Sequence, residues 1–258
     1  VKDTQSRKEH RVVLPDERIT REKDFHNRTY ESHSRKPLAV LYDRSSPVRK
    51  RYENLLLKYC IGKKILEYGC GLGSYGFFLA SRGSTVTGID ISEYAILEAR
   101  RQAQAENIMI DFRVMNAEFL ELPDESFDVI CGTGILHHLN LERALLEIRR
   151  VLTSNGKAVF IEPLGHNPVI NIFRKLTPSL RSRDEHPLRM SDLETISTAF
   201  PHHTFEFYDL LALAWLPFHK IKTLHAVSEM LARVDHKLFA VIPFSRRFSW
   251  QVLILLEK

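Results

Sequence analysis

ILEYGCGLGSYG, residues 65–76, places four of the chain's eleven glycines within eight positions, between a short apolar run and an amphipathic one. The run at 64–68 has the length and flanking turn residues of a buried strand, and 74–81 has the pattern of a helix. Glycine between them lets a ligand approach the backbone without meeting a Cβ. In an open α/β sheet, ligands bind at the carboxyl ends of the strands where the chain order reverses, so this turn is the predicted binding loop.

Working outward, further strands are predicted at 85–90, 109–114, 127–131 and 158–162, with helices at 93–105 and 141–152 between them. In the last helix Leu141, Ala144, Leu145, Ile148, Val151 and Leu152 share one face of a 3.6-residue period. Strand and helix in alternation predict a doubly wound α/β fold. Two more strands, at about 204–210 and 249–256, complete a mostly parallel, seven-stranded sheet. Between 163 and 187 stand Pro163, Pro168, Pro178 and Pro187, with a helix predicted at 168–176 and a Ser191/Glu194 capping box for the next one. Before the sheet, Ser46 and Pro47 mark the start of a helix running to about Cys60. The expected organisation is a mobile basic arm over 1–20 and one domain over 21–258. Within that domain, 21–62 forms a helical lid, 63–162 the ligand-binding core, and 163–258 the acceptor-side insertions and last strands.

The 258 residues are 44% hydrophobic and 27% charged, which excludes disorder and collagen-like repeats. The longest uncharged apolar run, 210–218, is far short of the roughly 20 residues of a membrane-spanning helix, and charges occupy the N-terminus where a leader needs an apolar core. A cytoplasmic protein is expected, with Cys60, Cys70 and Cys131 as reduced thiols outside any CxxC pair. The net charge of +5 is uneven: residues 1–64 hold 17 basic and 9 acidic side chains. A solvated arm accounts for this better than a nucleic-acid surface.

The glycines parse in two ways. Gly71, Gly73 and Gly76 fit the GxGxxG of a dinucleotide site, with Asp90 at the spacing of its acidic ribose ligand. Glu67, Gly69, Gly71 and Gly73 equally fit E/D-x-GxGxG. Three features favour the second parse: Gly69 and Cys70 go unexplained by the first, Asn116-Ala117-Glu118 follows the third strand, and CGTGILHHL follows the fourth as residues 131–139. In this order, over about 64–162, the chain resembles class I S-adenosylmethionine-dependent methyltransferases that act on small molecules.

The resemblance implies S-adenosyl-L-methionine as cofactor and S-adenosyl-L-homocysteine as its product. Gly69, Gly71 and Gly73 would admit its methionine and ribose portions, with Glu67 near the amino-acid end. Asp90, followed by Ile91, would accept the ribose hydroxyls, and Asn116 with Ala117 would meet adenine. Glu67 and Asp90 could instead cap the helices that follow them.

Methyl transfer from a sulfonium expels a neutral thioether, so the protein contributes alignment and, for a hydroxyl acceptor, a base. His137 and His138 follow the fourth strand, and a histidine suits that role near neutral pH. His137 is the first candidate base; in the other reading His138 packs beneath the cofactor and His137 caps the helix. His166 is the second candidate. Tyr30, His138, Glu162, Arg174 as an anion clamp, and His186 are candidates for the acceptor pocket, and Phe25, Tyr30 and Tyr42 for an aromatic shield. No metal-ligand spacing is present, so no metal is expected. The expected activity is methyl transfer to a hydroxyl or carboxyl oxygen of a small-molecule acceptor, an apolar one among the options, by a monomer or homodimer. Alternatives are a non-catalytic donor-binding regulator, an RNA methyltransferase, and an NAD-dependent oxidoreductase. The greasy runs 210–218 and 238–244 could wall the pocket, touch a membrane peripherally, or form a second core layer.

Overall fold

The computed structural model describes residues 15–32, 46–211, 213 and 225–258. Tyr42 and most of the 210–218 run lie outside the described residues. In chain order the elements are α1 (Pro15–Ser32), α2 (Pro47–Cys60), β1 (Lys64–Tyr68), α3 (Ser74–Ala80), β2 (Thr85–Asp90), α4 (Glu93–Glu106), β3 (Asp111–Val114) and β4 (Phe127–Thr133). There follow α5 (Leu141–Val151), β5 (Leu152–Pro163), α6 (Pro168–Leu176), α7 (Met190–Ala199), β6 (His202–Tyr208), α8 (His225–Val241) and β7 (Gln251–Glu257).

The seven strands form one sheet in the order β3-β2-β1-β4-β5-β7-β6. β1 pairs in parallel with both β2 and β4, and β7 runs antiparallel to both neighbours, so the sheet is mostly parallel, as expected. The chain order reverses between β1 and β4. The loops leaving these two strands therefore part at the sheet's carboxyl edge and open a crevice there.

Helices cover both faces because each has one apolar stripe. α5 buries Leu141, Ala144, Leu145, Ile148 and Val151 against the sheet, and each of the larger side chains contributes about 1.5–3 kcal/mol on burial. A charge at Ile148, which is fully buried, would break this packing. On the opposite face Val48, Tyr52, Leu55 and Leu56 of α2 pack on Ile65, Val129 and Val159. Caps fix the helix starts: Ser92 Oγ accepts from Ala95 N at 3.1 Å before α4, and Asn167 Oδ1 accepts from Ile170 N at 3.1 Å before α6. Asn107 ends α4 with φ 52°, a left-handed stop that asparagine tolerates.

Two local expectations need correction. α1 begins at Pro15, so residues 15–20, expected in the mobile arm, belong to the helix that crosses the site. α7 begins at Met190, and its reciprocal cap is Asp192 Oδ2 accepting from Arg189 N at 2.7 Å, in place of Ser191 and Glu194. The carboxylate reaches back to a main-chain amide that any residue supplies, so a Ser or Thr at the cap position is not required. Cys60, Cys70 and Cys131 are buried free thiols, and burial pushes that of Cys60 up to about 12. No helix among the described residues is long and apolar enough to cross a membrane.

Candidate functional site

The crevice between the β1 and β4 loops is a cleft of about 770 Å³, counting the space open to solvent. Gly69, Asp90, Ile91, Asn116, Ala117, Thr133, Gly134, Ile135 and His138 line its floor and walls, and α1 covers it with Arg18, Glu22, His26 and Tyr30. Gly69 has φ +69°, and a Cβ there would lie 2.7 Å from Ile135 Cδ1. At Gly71 (φ +52°) a Cβ would lie 2.6 Å from the Tyr30 hydroxyl. The glycine loop is thus clasped between β4's exit and the lid. Gly73 is packed differently: a Cβ there would meet the Phe112 ring at 2.7 Å.

Asp90 closes the end of β2. Its Oδ2 accepts from Gly71 N and its Oδ1 from Ser92 N, both at 2.8 Å. Burial raises its pKa above the ordinary carboxylate value, against the charge of His26 and these two amides. It both caps the following turn and lines the cleft, so the two expected roles coincide in one side chain. Asn116 Oδ1 accepts from Glu118 N at 3.0 Å, which fixes the loop after β3. Tyr68 Oη donates to the Ala117 carbonyl from beneath.

Glu67 does not reach the cleft lining. Its two oxygens accept from Tyr75 N at 3.0 Å and Gly76 N at 2.8 Å, tying β1 to the start of α3. Burial pushes its pKa up to about 7 in spite of both amides. This is the helix-capping arrangement.

The lid is held by ionisable groups on one face. Arg18, Glu22, His26 and Tyr30 recur every fourth residue and so align along α1. Arg18 pairs with the buried Glu118 and donates to the His138 carbonyl at 2.9 Å. Glu22 Oε2 lies 3.1 Å from His138 Nδ1 and 3.5 Å from His26 Nε2, and its Oε1 accepts from Ser182 Oγ. Burial raises the Glu22 pKa, but its bonds to His138, His26 and Ser182 outweigh it and hold the carboxyl well below the usual range. Burial, and then the neighbouring His137, push His138 down to about 4 against the pull of Glu22. Near neutral pH the pair is therefore a carboxylate accepting from the Nδ1–H of a neutral imidazole, which leaves the lone pair on Nε2.

His137 is buried behind this surface. Its Nδ1 lies 2.7 Å from Glu162 Oε2, and its ring stacks against His138 at 4.2 Å. Glu162 has no exposed surface. Its Oε1 accepts from Ile135 N at 2.9 Å and Leu136 N at 2.8 Å, and burial pushes its pKa up to about 7. The first candidate base and the expected acceptor contact thus form an interior bracket that shapes the 3-10 turn Leu136–His138.

The other acceptor-side candidates stand apart from the cleft lining. Arg174 Nη1 donates to the Leu164 carbonyl at 3.1 Å and to Asn171 Oδ1 at 2.9 Å, so it braces α6 in place of clamping an anion. His186 is exposed, and its amide donates to the His137 carbonyl at 2.9 Å. His166 lines a separate cavity with Arg189, Arg247 and Phe244. Phe25 meets His26 edge-on at 5.4 Å, whereas Tyr30 lines the cleft. The sequence reading missed Arg18, Glu22 and His26. The available signal was their four-residue spacing leading to Tyr30.

Residues 66–160 match a family model described as "Methyltransferase domain". A ubiquinone biosynthesis O-methyltransferase of Pseudomonas aeruginosa is 32% identical over 114 residues, 43% of this chain and 49% of that protein. The chain spans about half the length of the curated relatives it matches. A solved S-adenosylmethionine-dependent methyltransferase from Archaeoglobus fulgidus is similar over 82% of this chain and 93% of that one, at 17% identity and a TM-score of 0.57. A solved structure of the [4+2]-cyclase SpnF is similar over 81% of this chain and 80% of that one, at 18% identity and a TM-score of 0.56. The sequence match over 66–160, on an alternating sheet with its glycine turn at the switch point, identifies this part of the chain as a methyltransferase domain.

Proposed function

We propose that the protein transfers a methyl group from S-adenosylmethionine to an oxygen of a small acceptor, with His138 as the base and Glu22 as its partner. The observation that carries this reading is an imidazole whose Nδ1 lies 3.1 Å from a carboxylate of α1 and which lines the same cleft as Gly69, Asp90 and Asn116.

The cleft fits the donor on its own geometry. Bare backbone at Gly69 leaves room that a Cβ would fill, and the Asp90 carboxylate stands where two ribose hydroxyls could donate to it. Asn116 and Ala117 form the wall suited to adenine. Bound there, the donor supplies an electrophilic methyl group. The chain's own residues then have three tasks. α1 closes over the cleft and excludes water, held by Arg18 and Glu22. His138 takes the acceptor's hydroxyl proton on Nε2 as the oxygen bonds to the methyl carbon and the carbon–sulfur bond breaks, its electron pair leaving on the neutral thioether of S-adenosylhomocysteine. Glu22 stabilises the imidazolium so formed, the part a buried carboxylate plays beside a catalytic histidine. The O-methyltransferase name of the Pseudomonas relative supports oxygen as the acceptor atom.

A second reading, donor binding without methyl transfer, is favoured by one observation: the similar fold of a [4+2]-cyclase shows that this architecture serves other chemistry. Incubation with a labelled donor and a cell extract separates the two. Label appearing in a small molecule, and lost in a His138→Gln variant that still binds S-adenosylhomocysteine, supports methyl transfer. Tight homocysteine-analogue binding with no labelled product from any extract supports the binder.

A further inference from the structure

Away from the methyl-donor cleft, the loop after β5, the start of α7 and the turn after α8 enclose a second cavity of about 600 Å³, counting its open side. His166, Arg189, Met190, Ser191, Phe244 and Arg247 face it. Arg189 is exposed and Arg247 half-buried, and among the described residues neither guanidinium forms an ion pair with a carboxylate, unlike Arg18, Arg21, Arg150 and Arg181. The Arg247 guanidinium lies over Phe244 at 4.9 Å and over Phe248 at 5.6 Å, which holds it beside the aromatic wall. Its Nε is buried with no hydrogen-bond partner among the described residues. His166 Nε2 accepts from Met190 N at 3.3 Å, so the imidazole is fixed beside the α7 amides.

Two guanidinium groups lining one cavity without a carboxylate partner can bind an oxyanion through forked hydrogen bonds. The amino end of α7 adds to the same field. Asp192 is the one acid here, and it is turned back onto Arg189 N. Phe244 is 64% exposed at the rim beside Ile242 and Val241, also exposed, so an apolar surface borders the charged one.

We propose that this cavity binds a phosphate or carboxylate group carried on a ligand whose apolar part lies against Phe244. The proposal does not depend on methyl transfer in the main cleft. The cavity is nevertheless linked to that cleft by backbone: His186 N donates to the His137 carbonyl, and Leu188 N to the Pro163 carbonyl, each at 2.9 Å. Arg189 follows directly.

His166 reports on the site without any assay of turnover. Burial, Arg247 and Arg189 hold its pKa below the ordinary histidine value, with Asp192 opposing them, and an anion between the arginines offsets their repulsion. The experiment is a pH titration of the histidine ring resonances by NMR on the full chain, at constant ionic strength in chloride, with inorganic phosphate or hexyl phosphate added. Both probes are expected to raise the His166 midpoint by about half a unit or more, with hexyl phosphate half-saturating at a tenfold lower concentration. Arg189→Gln/Arg247→Gln is expected to abolish the shift while the His138 resonances stay in place, which shows that the fold is intact. No movement with either probe, or the same movement in the double variant, overturns the proposal. Equal concentrations for the two probes overturn its apolar half.

Discussion

Glu22 Oε2, on the lid helix, lies 3.1 Å from His138 Nδ1 on the opposite wall of the cleft. One contact thus joins the position of α1 over the cleft to the histidine proposed as base. Glu22→Gln keeps a hydrogen-bonding side chain but removes the charge that stabilises an imidazolium. Methyl transfer is expected to fall about 100-fold, and by about 100- to 10,000-fold in His138→Gln. Binding of S-adenosylhomocysteine, followed by calorimetry, should change little in either variant. Loss of binding in parallel with activity would assign the pair to lid structure alone.

The same histidine governs stability at mildly acidic pH. Its folded-state pKa of about 4 lies below the ordinary histidine value of 6.5. Between those values the unfolded chain takes up a proton that the native protein refuses, so stability falls as pH drops from about 6.5 to 4. The contribution is about 1.4 kcal/mol per pH unit, or roughly 3 kcal/mol across the window. Glu22 is depressed below its ordinary value and adds a loss of the same sign at still lower pH. Urea denaturation of the wild type and His138→Gln at several pH values should show the steeper dependence in the wild type; parallel curves would contradict the buried neutral imidazole.

The legible part of this molecule is what its local sequence encodes. β1, β2 and α6 have the bounds expected, because a five- or six-residue apolar run between turn residues, or an Asn-Pro cap, needs no distant information. Gly69, Asp90 and Asn116 could be named from sequence because strand ends carry them to the same edge of the sheet. Glu22 could not, since its partner is 116 residues away and only the course of α1 across the cleft brings them together. The choice between His137 and His138 was hidden for a related reason. Both rings are buried; Glu162, on the neighbouring strand, holds His137 Nδ1, whereas His138 is the one of the two that lines the cleft.

Glu67 offers a test of opposite sign. Its folded-state pKa of about 7 lies above the ordinary glutamate value of 4.5. The unfolded chain ionises first, so the wild type loses stability as pH rises from about 4.5 to 7. Glu67→Gln, which resembles the protonated acid, is expected to gain about 3 kcal/mol relative to the wild type over that window. Glu67→Ala leaves the Tyr75 and Gly76 amides without their acceptor and should cost about 1–3 kcal/mol at any pH. Chemical denaturation across pH measures both. A constant difference between Glu67→Gln and wild type would mean that the carboxyl ionises as an exposed one does.

Gly71 and Tyr30 provide the test of lid closure. A Cβ at Gly71 would stand 2.6 Å from the Tyr30 hydroxyl and 3.2 Å from Cζ, so Gly71→Ala must displace the ring or strain the loop. The left-handed φ of +52° adds a strain of about 1 kcal/mol that no change at Tyr30 can relieve. The ring clash is separable from it. If α1 closes the cleft through this contact, Gly71→Ala should open the lid, increase proteolysis within α1 and speed release of S-adenosylhomocysteine. Tyr30→Ala removes the obstructing ring, so Gly71→Ala/Tyr30→Ala should be less impaired than the sum of the two single changes. A double-mutant cycle on the release rate gives the coupling, expected at about 0.5–3 kcal/mol for residues in contact. Additive effects would show that Tyr30 rests over the loop without holding the lid, and closure would then fall to Arg18 and Glu22.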